Sequence, residues 1–165
     1  MIARLSILLL TVFLLVGFEL GVISAWPTPW NQIPLVFLTG VLIMHFVRPV
    51  FGVIWLLVAG LFLDLFGLPD VPHVLTFGLA GAAGLFLAHR IFTNRSVYAM
   101  IGLGASMYFV VSLVGLLWYF FLDAVAPFFQ SLFTEWVVFF VALLAAFFAS
   151  RRLANLLRTI FLVRS

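Results

Sequence analysis

Two carboxylates stand inside long apolar stretches of this 165-residue chain, Glu19 and Asp64. An ionisable group in hydrocarbon costs on the order of 3 kcal/mol on insertion scales, so each one needs a physical explanation. Such a carboxylate can reach the membrane interface, accept hydrogen bonds inside a bundle, carry a proton, or pair with a cation from another chain. Both positions are therefore candidates for binding or for proton transfer.

Histidine is the second residue type that could do chemistry. His73 follows Asp64 across a loop rich in glycine and proline, 67–72. Because histidine can be protonated near neutral pH, the pair can meet across this loop as an internal ion pair. The other two histidines, His45 and His89, are predicted on the opposite side of the bilayer. We therefore expect no three-histidine metal site.

Catalytic signatures are missing from the sequence. There is no Gly-x-Ser-x-Gly, no His-Glu-x-x-His and no phosphate-binding loop. The chain has no cysteine, which removes disulfides, thiol catalysis and thiolate metal sites. We predict a protein that works by binding, with no enzymatic activity, cofactor or metal.

The composition requires lipid as the solvent. Hydrophobic residues make up 67% of the chain and charged residues only 8%, against about 25% charged residues in soluble domains. A folded globule of this composition lacks the polar surface needed in water, so we predict an all-α polytopic membrane bundle. The net charge of +3 is spread over short loops and a tail. We therefore favour contact of the arginines with anionic lipid headgroups over binding to nucleic acid.

The basic residues are all arginines, and their positions predict the topology. They lie at Arg4, Arg48, Arg90, Arg95, Arg151, Arg152, Arg158 and Arg164. The connections between these groups carry Asp70, Asp123 and Glu135 instead. Because loops rich in arginine stay in the cytoplasm, this alternation predicts six crossings with both termini cytoplasmic. The outer side then has no fixed side-chain cation.

Six apolar segments correspond to these crossings. We place them at about 5–23, 31–47, 50–66, 73–88, 97–122 and 136–150. The first also resembles a secretory signal, but its apolar run of about 19 residues exceeds the usual 7–15. We favour an uncleaved helix; cleavage would leave five spans in the same orientation. Small residues in the fourth and fifth segments predict close packing and a central position for both helices.

Two further segments are predicted outside the spans. The stretch 123–135 places Phe128, Phe129 and Phe133 on one face of a short helix at the outer interface. The tail 151–165 separates an apolar face from a basic one, which is typical of an amphipathic helix on the inner membrane surface. We interpret this tail as a lipid anchor in preference to a partner-docking helix.

The stretch from Arg48 to Arg95 resembles the rod shape-determining protein MreD family. It has an Arg-Pro turn at Arg48, an apolar helix that ends in an Asp-Leu pair at Asp64, and a glycine and proline loop. A histidine, His73, then opens a helix rich in small residues, and a basic loop follows. The chain departs from the family in this loop, which reads Phe-Gly-Leu-Pro-Asp-Val-Pro where Ser-Gly-x-Pro-Leu-Gly is more usual.

The resemblance implies a scaffold subunit of the cell-elongation machinery in the bacterial inner membrane. Its partners would be an MreC-like periplasmic protein and, indirectly, the actin-like MreB filament and the wall synthases. A homo-oligomer is compatible with this layout. The residues expected at the partner surface are Asp64, Gly67, Pro69, His73, Phe128, Phe129 and Phe133.

Two alternatives remain open at this point. The six-helix layout is also similar to the vitamin-binding subunits of energy-coupling-factor transporters, which need an outward pocket with several polar and aromatic contacts. The candidates for such a pocket are Glu19, Trp26, Trp30, Asp64 and His73. The second alternative is a proton-coupled carrier that uses Glu19 and Asp64.

Overall fold

The chain folds into an all-α bundle, as the composition predicts. A computed structural model describes residues 2–66, 71–94, 96–122 and 125–149. The helices are α1 (Ile2–Gly21), α2 (Leu35–Phe46), α3 (Pro49–Phe66), α4 (His73–Arg90), α5 (Val97–Phe121) and α6 (Val125–Phe148). Two short 3-10 helices, Ile23–Ala25 and Trp30–Gln32, connect α1 to α2. Within those described ranges there is no β-strand.

Four segments are long and apolar enough to cross a bilayer. They are Ser6–Ala25, Pro49–Phe66, Val97–Phe121 and Ser131–Phe148. Large apolar side chains on these segments are exposed on the outside of the bundle, where lipid would surround them. The protein is therefore a membrane protein. Helix α2 has 12 residues, which is roughly 18 Å of helix and shorter than a hydrocarbon core of about 30 Å.

Helix α2 is the most enclosed element of the bundle. Nine of its 12 residues are buried, and it packs against each of the other five helices. Surrounding helices shield its backbone and side chains from lipid, so it has less need to match the bilayer by its own length. The prediction that the fourth and fifth helices are the central ones is wrong, since α2 takes that position.

Glycines allow the helix backbones to approach closely, as predicted from the small residues. A methyl group added at Gly84 of α4 would lie 2.6 Å from the sulfur of Met107 in α5. One added at Gly104 would lie 2.7 Å from a Leu143 methyl in α6. In lipid this close packing replaces the hydrophobic effect as a source of helix association.

Helix α6 differs from the prediction. The stretch from residue 125 onwards is continuous with the last span and forms one helix of 24 residues. That is roughly 36 Å of helix, longer than the hydrocarbon core of about 30 Å. The expectation of a separate interfacial helix at 123–135 is therefore wrong, because nothing between Val125 and Glu135 breaks the helix. The tail 151–165, with Arg151, Arg152 and Arg158, lies outside the described residues, as does Arg95.

The charged residues separate to opposite ends of the bundle. Arg48 and Arg90 are both exposed and lie beside the α2–α3 and α4–α5 connections. Asp64 is 16 residues after Arg48, about 24 Å along α3. We call the half containing the last turns of α1 and α3 and the first turns of α2 and α4 the acidic half. The two exposed arginines, Arg48 and Arg90, lie at the opposite end of the bundle.

Candidate binding cavity in the acidic half

Glu19 is held against the start of a neighbouring helix. Its Oε2 accepts a hydrogen bond of 2.6 Å from the backbone N–H of Val36, in the first turn of α2. The first N–H groups of a helix have no partner within it, and the helix dipole favours negative charge there. Glu19 therefore caps α2, which explains how a carboxylate is accommodated within an apolar segment.

Asp64 does the same for α4. Its Oδ1 accepts from the backbone N–H of His73 at 2.7 Å, and its Oδ2 accepts from that of Val74 at 2.9 Å. The Nδ1 of the His73 ring lies 3.0 Å from Oδ1, and an ionised carboxylate can only accept, so the ring donates. The predicted meeting of Asp64 and His73 across the loop is confirmed. The carboxylate therefore has three internal donors, which is one of the explanations expected for an acid in an apolar segment.

The two caps follow one sequence logic. Pro34 and Pro72 stand at the N-cap positions of α2 and α4, and neither supplies a side-chain cap. Proline has no side-chain acceptor for the first helical N–H groups. A carboxylate from the preceding long helix, Glu19 for α2 and Asp64 for α4, takes over that role. This placement explains why each acid lies within an apolar segment.

A cavity of about 660 Å³ opens in the acidic half. That volume falls within the range of about 300–1,000 Å³ that is typical of small-molecule sites. Helices α1, α3, α4, α5 and α6 and the segment before α2 all contribute to its wall. The polar or aromatic lining residues are Glu19, Gln32, His73, Thr76, Phe77, Tyr108, Ser112, Tyr119, Ser131 and Glu135.

A hydrogen-bonded network between α5 and α6 forms one wall of this cavity. Trp136 Nε1 donates to Ser112 Oγ at 3.1 Å, and Ser112 Oγ donates to the Tyr108 carbonyl at 3.0 Å. The Tyr108 hydroxyl lies 3.5 Å from Glu135 Oε2. The Tyr108 ring stacks on Phe139, with centroids 4.3 Å apart and planes 7° from parallel. These contacts hold the side chains of the wall in place before a ligand binds, which reduces the cost of ordering them on binding.

The sequence-predicted pocket residues divide into two groups. Glu19 and His73 line the cavity, while Asp64 orients the ring of His73. Trp26 and Trp30 are exposed and do not line it. The set proposed from sequence for a pocket was therefore only partly correct.

The predicted partner surface is described only in part. Phe129 and Phe133 are exposed on α6, by 56% and 78%. Gly67 and Pro69 lie outside the described residues, as does the side chain of Phe128. Phe129 and Phe133 are therefore the aromatic residues of that surface whose side chains are shown to be accessible.

Sequence reasoning missed most of the cavity wall. On α5 the lining residues Tyr108, Ser112, Gly115 and Tyr119 recur at intervals of four, three and four. That spacing places them on one face of a helix. Ser131 and Glu135 of α6 are also four residues apart. These two polar stripes, inside segments judged only by their hydrophobicity, were the signal that could have located the cavity.

In the ranges that the structure covers, no three His, Asp or Glu side chains are grouped so that they could hold a metal ion. The two lining carboxylates come from α1 and α6, and the two lining tyrosines come from α5. Such an arrangement can bind and orient a molecule through charge, hydrogen bonds and aromatic contact.

Searches of protein-family models, of curated proteins and of solved structures found nothing that matches this chain.

Proposed function

We propose that this chain is a non-enzymatic scaffold subunit of the bacterial cell-elongation machinery, resident in the inner membrane with six crossings and both termini cytoplasmic. In this proposal the acidic half faces the periplasm and binds an MreC-like partner. MreB and the wall synthases interact with the chain only indirectly, through that partner. Cytoplasmic retention of arginine loops supports this orientation, since Arg48 and Arg90 lie away from the acidic half.

The observation that carries the proposal is the α3–α4 junction. The residues on which the MreD resemblance depends, Asp64 and His73, are in direct contact and together fix the start of α4. Had Asp64 and His73 lain far apart, the resemblance would have no structural feature behind it. The contact between these two residues, at the proposed partner-facing side, supports the proposal.

Exposed aromatic residues on α6, next to the cavity-lining Ser131, provide the test. We expect the double variant Phe129→Ala/Phe133→Ala to lower the recovery of a co-expressed MreC-like protein about tenfold or more, because buried aromatic anchors dominate interface energies. The matched control is Phe86→Ala/Phe148→Ala, which removes two similarly exposed phenylalanines elsewhere in the bundle. The measurement is co-purification in mild detergent, with the partner quantified by mass spectrometry. Equal recovery with both double variants would contradict the proposal.

A second candidate function is favoured by the cavity. Its volume of about 660 Å³ and its convergent polar groups are what a small-molecule-binding membrane subunit requires. This candidate predicts that the same detergent preparation retains a small molecule, detectable by mass spectrometry after denaturation. The scaffold proposal predicts instead that a protein partner co-purifies and that no small molecule is retained.

A further inference from the structure

We propose that the cavity in the acidic half binds a small organic cation, with the carboxylates of Glu19 and Glu135 supplying the compensating charge. This inference rests on the small-molecule candidate above and adds the chemical class of the ligand. It depends on the charge, the aromatic lining and the size of the cavity.

Apart from His73, whose ring donates to Asp64 outside the lining, the ionisable groups of the wall are all acidic. Both carboxylates line the cavity, and among the described residues its lining contains no arginine. The chain has no lysine at all. Inside a membrane protein an unpaired acid is costly unless a positive group or several donors meet it. A bound cation supplies that positive group, whereas an anion would face two carboxylates without a counter-charge.

The aromatic residues favour the same class of ligand. Phe77, Tyr108 and Tyr119 line the cavity together with the hydroxyl-bearing Ser112 and Ser131. Aromatic faces attract ammonium and guanidinium groups, most strongly where water is excluded. The hydroxyl oxygens can accept hydrogen bonds from a primary amine. Apolar residues such as Leu63 and Val111 also line the wall, and they weaken the competition from water.

Glu19 and Glu135 enter the site in different ways. Glu19 already caps α2 through Oε2, so changing it would disturb a helix as well as the cavity. Glu135 accepts only the long 3.5 Å contact from the Tyr108 hydroxyl among its described hydrogen bonds. Glu135 is therefore the better position for a charge-removing variant.

The test measures the binding of paired probes to the purified full chain in detergent micelles. One pair is choline with 3,3-dimethylbutan-1-ol, and the other is 2-phenylethylamine with 2-phenylethanol. Each pair has closely matched shape and differs in charge. Tryptophan fluorescence reports binding, because Trp136 donates to the lining residue Ser112. We expect at least one cation to bind about tenfold or more tightly than its neutral counterpart.

Two variants assign this preference to the cavity. Glu135→Gln should weaken cation binding about tenfold and leave the neutral probes unchanged, since only the charge is lost. Tyr108→Phe should weaken it a few-fold through loss of the hydroxyl. The matched control, Tyr98→Phe, makes the same change at an exposed tyrosine and should have no effect.

Several outcomes would overturn the inference. If the neutral probes bind as tightly as the cations, the cation class is wrong and small-molecule binding stands. If Glu135→Gln leaves cation binding unchanged in a folded protein, Glu135 does not supply the compensating charge and the inference is wrong. If no probe of either kind binds, both the inference and the small-molecule candidate fail.

Discussion

Replacing Asp64 with alanine is expected to lower the free energy of unfolding by about 2–3 kcal/mol, because hydrogen bonds to a charged group contribute about 1.5–3 kcal/mol. The carboxylate accepts from the His73 and Val74 backbone N–H groups and from the His73 ring. Alanine leaves the first turn of α4 without a cap, since Pro72 cannot provide one. Reversible unfolding in mixed micelles with increasing sodium dodecyl sulfate would measure the difference.

The isosteric change separates capping from charge. Asp64→Asn keeps one carbonyl oxygen for a backbone N–H and should lose only about 1 kcal/mol. If Asp64→Ala unfolds at the same denaturant fraction as the wild type, the carboxylate does not cap α4. An equal loss for alanine and asparagine would indicate that the charge matters and the cap does not.

Gly60→Ala is expected to destabilise the fold by about 1–3 kcal/mol, the usual cost of overpacking. A methyl group at this position would lie 2.9 Å from the carbonyl carbon and oxygen of His73 and 3.0 Å from Val74 Cα. These are backbone atoms, so no side chain can rotate away to relieve the contact. Helices α3 and α4 must separate at the junction that Asp64 holds together.

Gly17→Ala is the matched control for this variant. Nothing lies within 4 Å of a methyl group added at Gly17, which is also in a helix. Since alanine is favoured over glycine inside a helix by about 1 kcal/mol, Gly17→Ala should be neutral or stabilising. The same unfolding assay compares the two. A Gly60→Ala protein as stable as Gly17→Ala would contradict the close approach of α3 and α4.

Much of the fold can be predicted from the sequence, because lipid imposes simple constraints on the length and composition of each helix. The apolar segments and the arginine spacing are enough to place a helix within each of the six predicted spans. The same reasoning erred at α2 and α6. It judged each segment by hydrophobicity, and hydrophobicity does not report whether a helix faces lipid or other helices. Helix α2 is enclosed by its neighbours, and α6 begins well before its most apolar part.

The candidate site was harder to anticipate than the fold. Glu19, Asp64 and His73 were identifiable because charge is rare in apolar segments, and the Asp64–His73 contact follows from a short loop. The capping of α2 by Glu19 depends on how α1 packs against α2, across 17 residues. Tyr108 and Glu135 meet across 27 residues. No spacing rule within one helix gives such pairings.

Single-cysteine labelling tests most directly the central claim that the acidic half faces the outside of the cell. The chain has no cysteine, so Thr28→Cys and Thr93→Cys each introduce one reactive thiol at an exposed position. Thr28 lies between α1 and α2 beside the acidic half, and Thr93 lies between α4 and α5 at the opposite end. With a membrane-impermeant maleimide on intact cells, Thr28→Cys should be labelled and Thr93→Cys should be labelled only after permeabilisation. Labelling of Thr93→Cys from outside, with Thr28→Cys protected, would contradict the account.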